Sequence, residues 1–412
     1  MYAALAVAAK RTPRKLVVLC DGTGNQIDSS QSNVLRLYRV LSKSAGQRVF
    51  YDPGIGTAGS SEDWVRWKSN TERVLGLATG YGRDENVLNA YRFLLREYRP
   101  GDELYFFGFS RGAYTVRVLA GFINAIGLLH SDQQHLLSYA YNAYKRISDK
   151  NSFDDVRQFE RILRPHRPTI RFLGLWDTVS TILVPRKDRF YLPATRQLAY
   201  TERNPSVQQV CHALAIDERR RMFRPYLWKQ EQEYWGGPFP TKNKEQVTAQ
   251  QVQQVWFPGV HSDIGGGYTE QESGLAKLSL VWMVEQLGDL LGFSQRGLNQ
   301  HAHGKGKGFI EPSALADIHN SMNKGWSALE YLPKASRHRE DATRRTLLGW
   351  YLPGNEPRLL PSDAQLHSSV GQRMRECSRY RPANVLAEQL SSLEPCLAQA
   401  QAKTDGATQS KP

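Results

Sequence analysis

No run of apolar residues in this sequence approaches the roughly 18 that a membrane-crossing helix needs. The opening MYAALAVAAKRTPRK places its apolar run before its basic residues, the reverse of a secretory signal, so residues 1–14 are expected to form a loose tail. Both features point to the cytoplasm of the producing cell. Cysteine is scarce: Cys20, Cys211, Cys377 and Cys396 are widely scattered, with no C-x-x-C pair. That argues against a disulfide framework and a zinc site alike, and for thiols in a reducing compartment. No ligand cluster has zinc or calcium spacing, so neither a metal nor an organic cofactor is expected. Internal repeats are missing too.

Positive charge is in excess, with a net +14 over 412 residues. Such a balance favours an anionic partner, whether a phospholipid surface, a nucleic acid or an acidic protein. No nucleic-acid-binding motif accompanies it, so no nucleic acid is expected. Apart from Arg219, Arg220, Arg221 and Arg224 the basic residues are spread out, which also suits a merely solvated basic face. Hydrophobic residues make up 40% of the chain, enough for a substantial core in one elaborated α/β domain or in two domains.

The most informative stretch is GDELYFFGFSRGAYTVRVLAGFINAIGLL, from Gly101 to Leu129. Leu104 to Phe107 reads as a buried parallel strand. Gly108-Phe109-Ser110-Arg111-Gly112 follows, and from Ala113 the apolar positions take helical spacing. A G-x-S-x-G between strand and helix is the context of a nucleophile elbow. Gly108 and Gly112 would let strand and helix approach closely. Ser110 would stand at a helix N-terminus, where dipole and amides favour developing negative charge. An ordinary strand-to-helix loop is the bland alternative.

Alternation of strand and helix extends along the chain. Lys15–Cys20 reads as a strand, and a helix from Asn33 to Leu41 follows with Ser32 or Asn33 as cap. Arg48–Tyr51 is a second strand, and Asp84–Tyr98 is an amphipathic helix. Trp64 and Trp67 fall at helical spacing, suited to core packing. Residues 130–168 look like a helical insertion, and Ile170–Trp176 is another strand. A second insertion is expected at about 183–248, with CHALAIDERRRMFRP as a helix whose Asp217, Glu218 and Arg219 to Arg221 form internal ion pairs. Gln251–Phe257 is a strand, and Leu275–Leu291 a helix with one apolar face. These elements predict an α/β architecture, a mostly parallel sheet flanked by helices.

Three residues or loops at strand ends could serve the serine. Asp177 lies just past Trp176, where open α/β sheets build their sites. His261 lies in PGVHSDIGGGY, between a late strand and a long helix; His319 and His367 are rivals in irregular stretches. Asp263 is a rival acid, though it suits shaping the loop better. The order Ser110, Asp177, His261 is that of α/β-hydrolases. The loop Asp21-Gly22-Thr23-Gly24-Asn25 has three readings. A dinucleotide fingerprint fails for want of a third spaced glycine. A phosphatase-type Asp21 nucleophile lacks its second acid. An oxyanion loop, offering the Gly22 or Thr23 amide beside that of Arg111, fits best.

The segments CDGTGN, GYGRDENVLNAYRFL, PGDELYFFGFSRGAYTVRVLAG, GLWDTV, HALAIDERRRMFRP and WFPGVHSDIGGGY, in this order, resemble an uncharacterised-domain α/β-hydrolase family that includes phospholipase effectors of bacterial type VI secretion. The resemblance covers most of residues 15–390, more weakly through DIHNS, HSSVGQR and RYRPANV. It implies an α/β-hydrolase catalytic domain over 15–294; the place of 295–402 after the last catalytic member suggests a C-terminal cap or side layer, and the composition of 403–412 reads as a disordered tail. It further implies Ser110 as nucleophile, Asp177 as acid, His261 as base, and glycerophospholipid esters as substrate. Peripheral contact with an anionic membrane, delivery by a secretion system, and a secretion-machinery or immunity protein as partner would follow. A soluble esterase on small acyl esters, or a non-catalytic binding protein on the same fold, are the alternatives.

Overall fold

The computed structural model describes residues 12–22, 30–54, 83–150, 154–179, 183–185, 193–195, 198–237, 247–331, 333–335, 350–386 and 388–389. Trp64, Trp67, Thr23, most of the N-terminal tail and the expected disordered tail lie outside them.

Seven strands make one sheet: β1 (Lys15–Cys20), β2 (Gln47–Asp52), β3 (Glu103–Phe109), β4 (Ile170–Trp176), β5 (Val207–Ala215), β6 (Gln251–Phe257) and β7 (Gln365–Leu366). Their order is β7-β6-β5-β4-β3-β1-β2, and every neighbouring pair is parallel. This is an α/β-hydrolase-like fold. Parallel strands are buried on both faces, which is why KLVVLC and ELYFFGF read as nearly unbroken apolar runs. On β1, Leu16, Val18 and Cys20 enter one core, while Val17 and Leu19 enter the other.

The first core lies under α2 (Arg83–Glu97), α3 (Arg111–Ile126), α4 (Leu137–Lys150) and α5 (Asp154–Leu163). The second lies under α1 (Asn33–Val40) and, beyond the single turn α6 (His261–Gly265), α7 (Gly274–Leu287). Ser32 caps α1, its side chain accepting the Leu35 N–H at 3.0 Å. Leu280, Met283 and Leu287 of α7 are buried against the sheet, each worth about 1.5–3 kcal/mol of transfer free energy. The helix stops short of the expected Leu291 because Gly288 takes a positive φ of 47°.

One expectation is overturned. The helix expected over CHALAIDERRRMFRP does not form: its first residues, Cys211 to Ala215, end a central strand, Val207–Ala215, paired with β4 on one side and β6 on the other. Its apolar residues, Val207, Val210, Ala213 and Leu214, fall at helix-like steps. That spacing misleads because a strand covered on both faces has no need to alternate. The stretch 183–248 therefore contains part of the sheet itself, besides short antiparallel pairings of Leu183–Pro185 with Pro193–Thr195 and of Glu233–Tyr234 with Thr248–Ala249.

The chain returns to this sheet after residue 350. β7 extends its edge beside β6, and α8 (Lys324–Glu330) and α9 (Ser368–Glu376) belong to the same C-terminal region. Val370 and Tyr380 join Leu214, Ile216 and Trp256 in a third apolar cluster. Among the described residues no helix is long and apolar enough to cross a membrane.

Candidate active site

The carboxyl ends of β1, β3, β4, β5 and β6 open onto one edge of the sheet, and the strand order reverses at β1. Open α/β sheets place their sites at such an edge. Ser110 follows β3 directly, with φ 57° and ψ −119°, a strained conformation for any residue but glycine. Its amide extends the ladder by donating to the Trp176 carbonyl at 3.0 Å. The turn is tight enough to need both flanking glycines. A Cβ on Gly108 would lie 2.5 Å from the Gly112 carbonyl, and one on Gly112 would collide with the Cys20 and Asp21 carbonyls. Thus the elbow presses on the end of β1.

Asp177, at φ 39°, continues the same ladder on the next strand. Its amide donates to the Ala213 carbonyl at 2.8 Å, and its Oδ1 accepts the Ala215 N–H at 3.0 Å. His261 opens α6 after β6. Its loop is held by Asp263, whose carboxylate accepts the Val260 N–H at 3.0 Å and meets His319 Nδ1 at 2.6 Å. Asp263 and His319 thus shape the loop, and the rival His367 caps α9 and stacks on Phe257. Asn33 Nδ2 ties this loop to α1 through the Ile264 carbonyl at 2.8 Å.

These three side chains form a hydrogen-bonded chain. His261 Nε2 lies 2.8 Å from Ser110 Oγ, and His261 Nδ1 lies 2.5 Å from Asp177 Oδ2. All three are buried, Asp177 completely. The imidazole is flanked by the rings of Phe109 and Phe223, with centroids 4.7 and 4.9 Å away. Burial lowers the His261 pKa below its ordinary value, against a partly offsetting pull from Asp177. For Asp177 burial acts to raise the pKa, but the charge of Arg358 and the bond to His261 outweigh it and hold the carboxylate ionised.

Four supporting groups escape a reading by sequence order. Arg358 forks onto Asp177, with Nη1 to Oδ1 at 2.6 Å and Nη2 to Oδ2 at 2.9 Å. Glu218 accepts the His261 backbone N–H at 3.2 Å and pairs with Arg220 at 2.8 Å; burial raises its pKa, yet Arg220 pulls it down to about 2. Phe223 carries the Arg220 guanidinium 3.6 Å above its ring. His212, buried under the Asp177 turn, accepts the Thr178 N–H at 3.1 Å, and its pKa falls to about 3 mainly through burial. The signal for Glu218 was present, since the expected Glu218–Arg220 ion pair forms. Nothing in the spacing marks Arg358 or His212.

Three of the four clustered arginines are directed into the protein, while Arg219 is exposed. Arg220 meets Glu218, Arg221 meets Glu330 and Tyr351, and Arg224 meets Glu356 and the Pro357 carbonyl. These contacts fasten the C-terminal region beside the site. The loop after β1 differs from expectation at Gly22, whose amide donates to Asp21 Oδ1 at 2.7 Å. Asp21 in turn accepts from Ser32 and from Tyr51, the latter at 2.9 Å. Among the described residues no three His, Cys, Asp or Glu side chains gather as a metal-holding group.

The chain is similar to an uncharacterised protein of Saccharomyces cerevisiae, 31% identical over 226 residues, covering 51% of this chain and 32% of that one. Among solved structures it is similar to an uncharacterised protein from Pseudomonas aeruginosa, with 18% identity and a TM-score of 0.34, covering 67% of this chain and 45% of the other. It is also similar to the Tle1 effector bound to the VgrG spike of the type 6 secretion system, with 20% identity and a TM-score of 0.32, covering 64% and 53%. This chain spans about a third of the length of the yeast relative and about half of each solved one. The family model of the Tle1-like type VI secretion phospholipase effector catalytic domain matches residues 14–286, more than half of the chain, and the chain belongs to that family.

Proposed function

We propose that this chain is a serine hydrolase that cleaves the carboxylic ester bonds of phospholipids through Ser110, His261 and Asp177. The observation that carries the reading is the hydrogen-bonded chain from Ser110 Oγ through His261 to Asp177, with Ser110 at a strained elbow. His261 Nε2, neutral because burial disfavours its cation, takes the hydroxyl proton as Oγ attacks the ester carbonyl. Asp177 fixes the proton on Nδ1 and stabilises the imidazolium that forms. His261 then returns the proton to the departing alcohol, and water repeats the cycle on the acyl-enzyme.

The amide of Arg111, first residue of α3, is assigned to the oxyanion. The Gly22 amide donates to the Asp21 carboxylate, and Thr23, the other expected second donor, lies outside the described residues. Membership of a phospholipase effector family supports a lipid ester over a small soluble one, and supports delivery by type VI secretion. The net charge of +14 suits approach to an anionic bilayer.

The test is fatty-acid release from mixed phospholipid liposomes by wild type beside Ser110→Ala. Release should fall by about 10⁴-fold or more in the variant, with the fold intact by circular dichroism. Undiminished release in a folded Ser110→Ala would sink the serine assignment. Cleavage confined to short-chain esters would leave a soluble esterase.

A further inference from the structure

Triad carboxylates need hydrogen-bond donors, and Asp177 takes a whole guanidinium, brought from a part of the chain that the family match does not reach. Arg358 is buried, as is Asp177, and its two terminal nitrogens meet both carboxylate oxygens. Nη1 also donates to the Ala215 carbonyl at 2.9 Å, and Nη2 to the Phe223 carbonyl. The stretch bearing Arg358 is stapled in place. Arg224 holds Glu356 and the Pro357 carbonyl, and Asn384 Nδ2 donates to the carbonyls of Arg358 and Ile216, both at 3.0 Å.

We infer that Arg358 is a positioning residue of the active site, acting through Asp177 to keep His261 neutral and aimed at Ser110. The inference rests on the triad reading above. Its physical basis is charge counting in a dry site. Arg358 and Asp177 cancel, so a neutral His261 leaves the trio uncharged and a protonated one leaves a buried net positive charge. Without Arg358 the balance reverses, and the imidazolium becomes the neutralising state. The fork also fixes both carboxylate oxygens, so that Oδ2 stays on Nδ1.

Other charges face His261. Glu218 lies on its amide side and favours the cation, while Arg220, paired with Glu218, disfavours it. Asp263, on the same turn, is engaged by His319. Phe109 and Phe223 supply the apolar walls. Arg358 is the cation bonded directly to the carboxylate that His261 shares. The C-terminal region thereby completes the site rather than merely covering it.

The experiment follows the rate at which a fluorophosphonate labels Ser110, in the full chain, from pH 4.5 to 9. In wild type the acid limb should lie below pH 6.5, the ordinary histidine value. Arg358→Gln should move it up by about one to two pH units, as expected for loss of a neighbouring buried charge. Arg358→Lys, which keeps the charge, should leave it within about half a unit of wild type. A lower plateau alone carries no weight, since any structural damage lowers it. A limb unmoved in Arg358→Gln overturns the inference, and so does a wild-type limb at or above 6.5. Should the Gln variant fail to fold, the Lys variant decides: a limb displaced by a unit with the charge intact also overturns it. Labelling that persists in Ser110→Ala overturns the triad reading itself, and this one with it.

Discussion

At the scale of single residues the site depends on charges that burial has made expensive to separate. Glu218 has no exposed side-chain surface, and its carboxylate serves Arg220, Ser321 and the His261 amide together. Removing its charge would strand the Arg220 guanidinium, which is itself stacked on Phe223 against the imidazole. Breaking a buried pair from one side costs roughly 3–5 kcal/mol, and Arg220 is slightly exposed, so about 2–3 kcal/mol is expected for Glu218→Gln. Urea denaturation would measure it; a loss under 0.5 kcal/mol would mean that water already solvates the pair.

Among elements, the elbow is the most constrained. Gly112 is the second residue of α3, and a Cβ there would collide with the carbonyls of Cys20, the last residue of β1, and of Asp21, so strand end and helix have no room for a methyl group. Gly112→Ala should force α3 outward and carry Ser110 away from His261. Overpacking of this kind costs about 1–3 kcal/mol or more, and even an ångström of displacement can cost roughly 10²-fold in rate. Thermal unfolding and ester turnover should therefore fall together. Unchanged turnover would show that the helix N-terminus can shift without moving the nucleophile. The same element scale explains β5: its helix-like spacing is overruled by ladders to β4 and β6, which no property of residues 207–215 announces.

For the whole molecule, buried neutral histidines set the response to acid. Burial pushes the His212 pKa down to about 3 and that of the half-buried His367 down to about 4, and it lowers His261 too. Unfolding frees each to bind a proton near pH 6.5, so between pH 6.5 and their folded values the unfolded chain holds more protons. Stability must then fall as pH drops through that window, by up to about 1.4 kcal/mol per pH unit per histidine. Asp217, raised to about 6 chiefly by burial, acts oppositely below pH 6, and Asp52, Asp263 and Glu285, also raised mainly by burial, act in the same sense at lower pH. Tm should decline steadily from pH 7 to 5, and less steeply in His212→Gln. Parallel slopes for the two proteins would remove His212 from the account.

The sequence by itself determined the strand-elbow-helix, the order of Ser110, Asp177 and His261, and most of the sheet, because these depend on local apolar runs and on glycines at fixed offsets. It also carried Asp263 as a loop-shaping acid, since a carboxylate two residues from His261 lies within reach of the amides of its own turn. Tertiary structure alone decided that residues 207–215 are a central strand, that Gly22 turns its amide to Asp21, and that Arg220, Arg221 and Arg224 face inward. It alone brought Arg358 to Asp177 across 181 positions of chain. Periodicity reports which face of an element is buried; it carries nothing about which distant charge will neutralise another once both have left water.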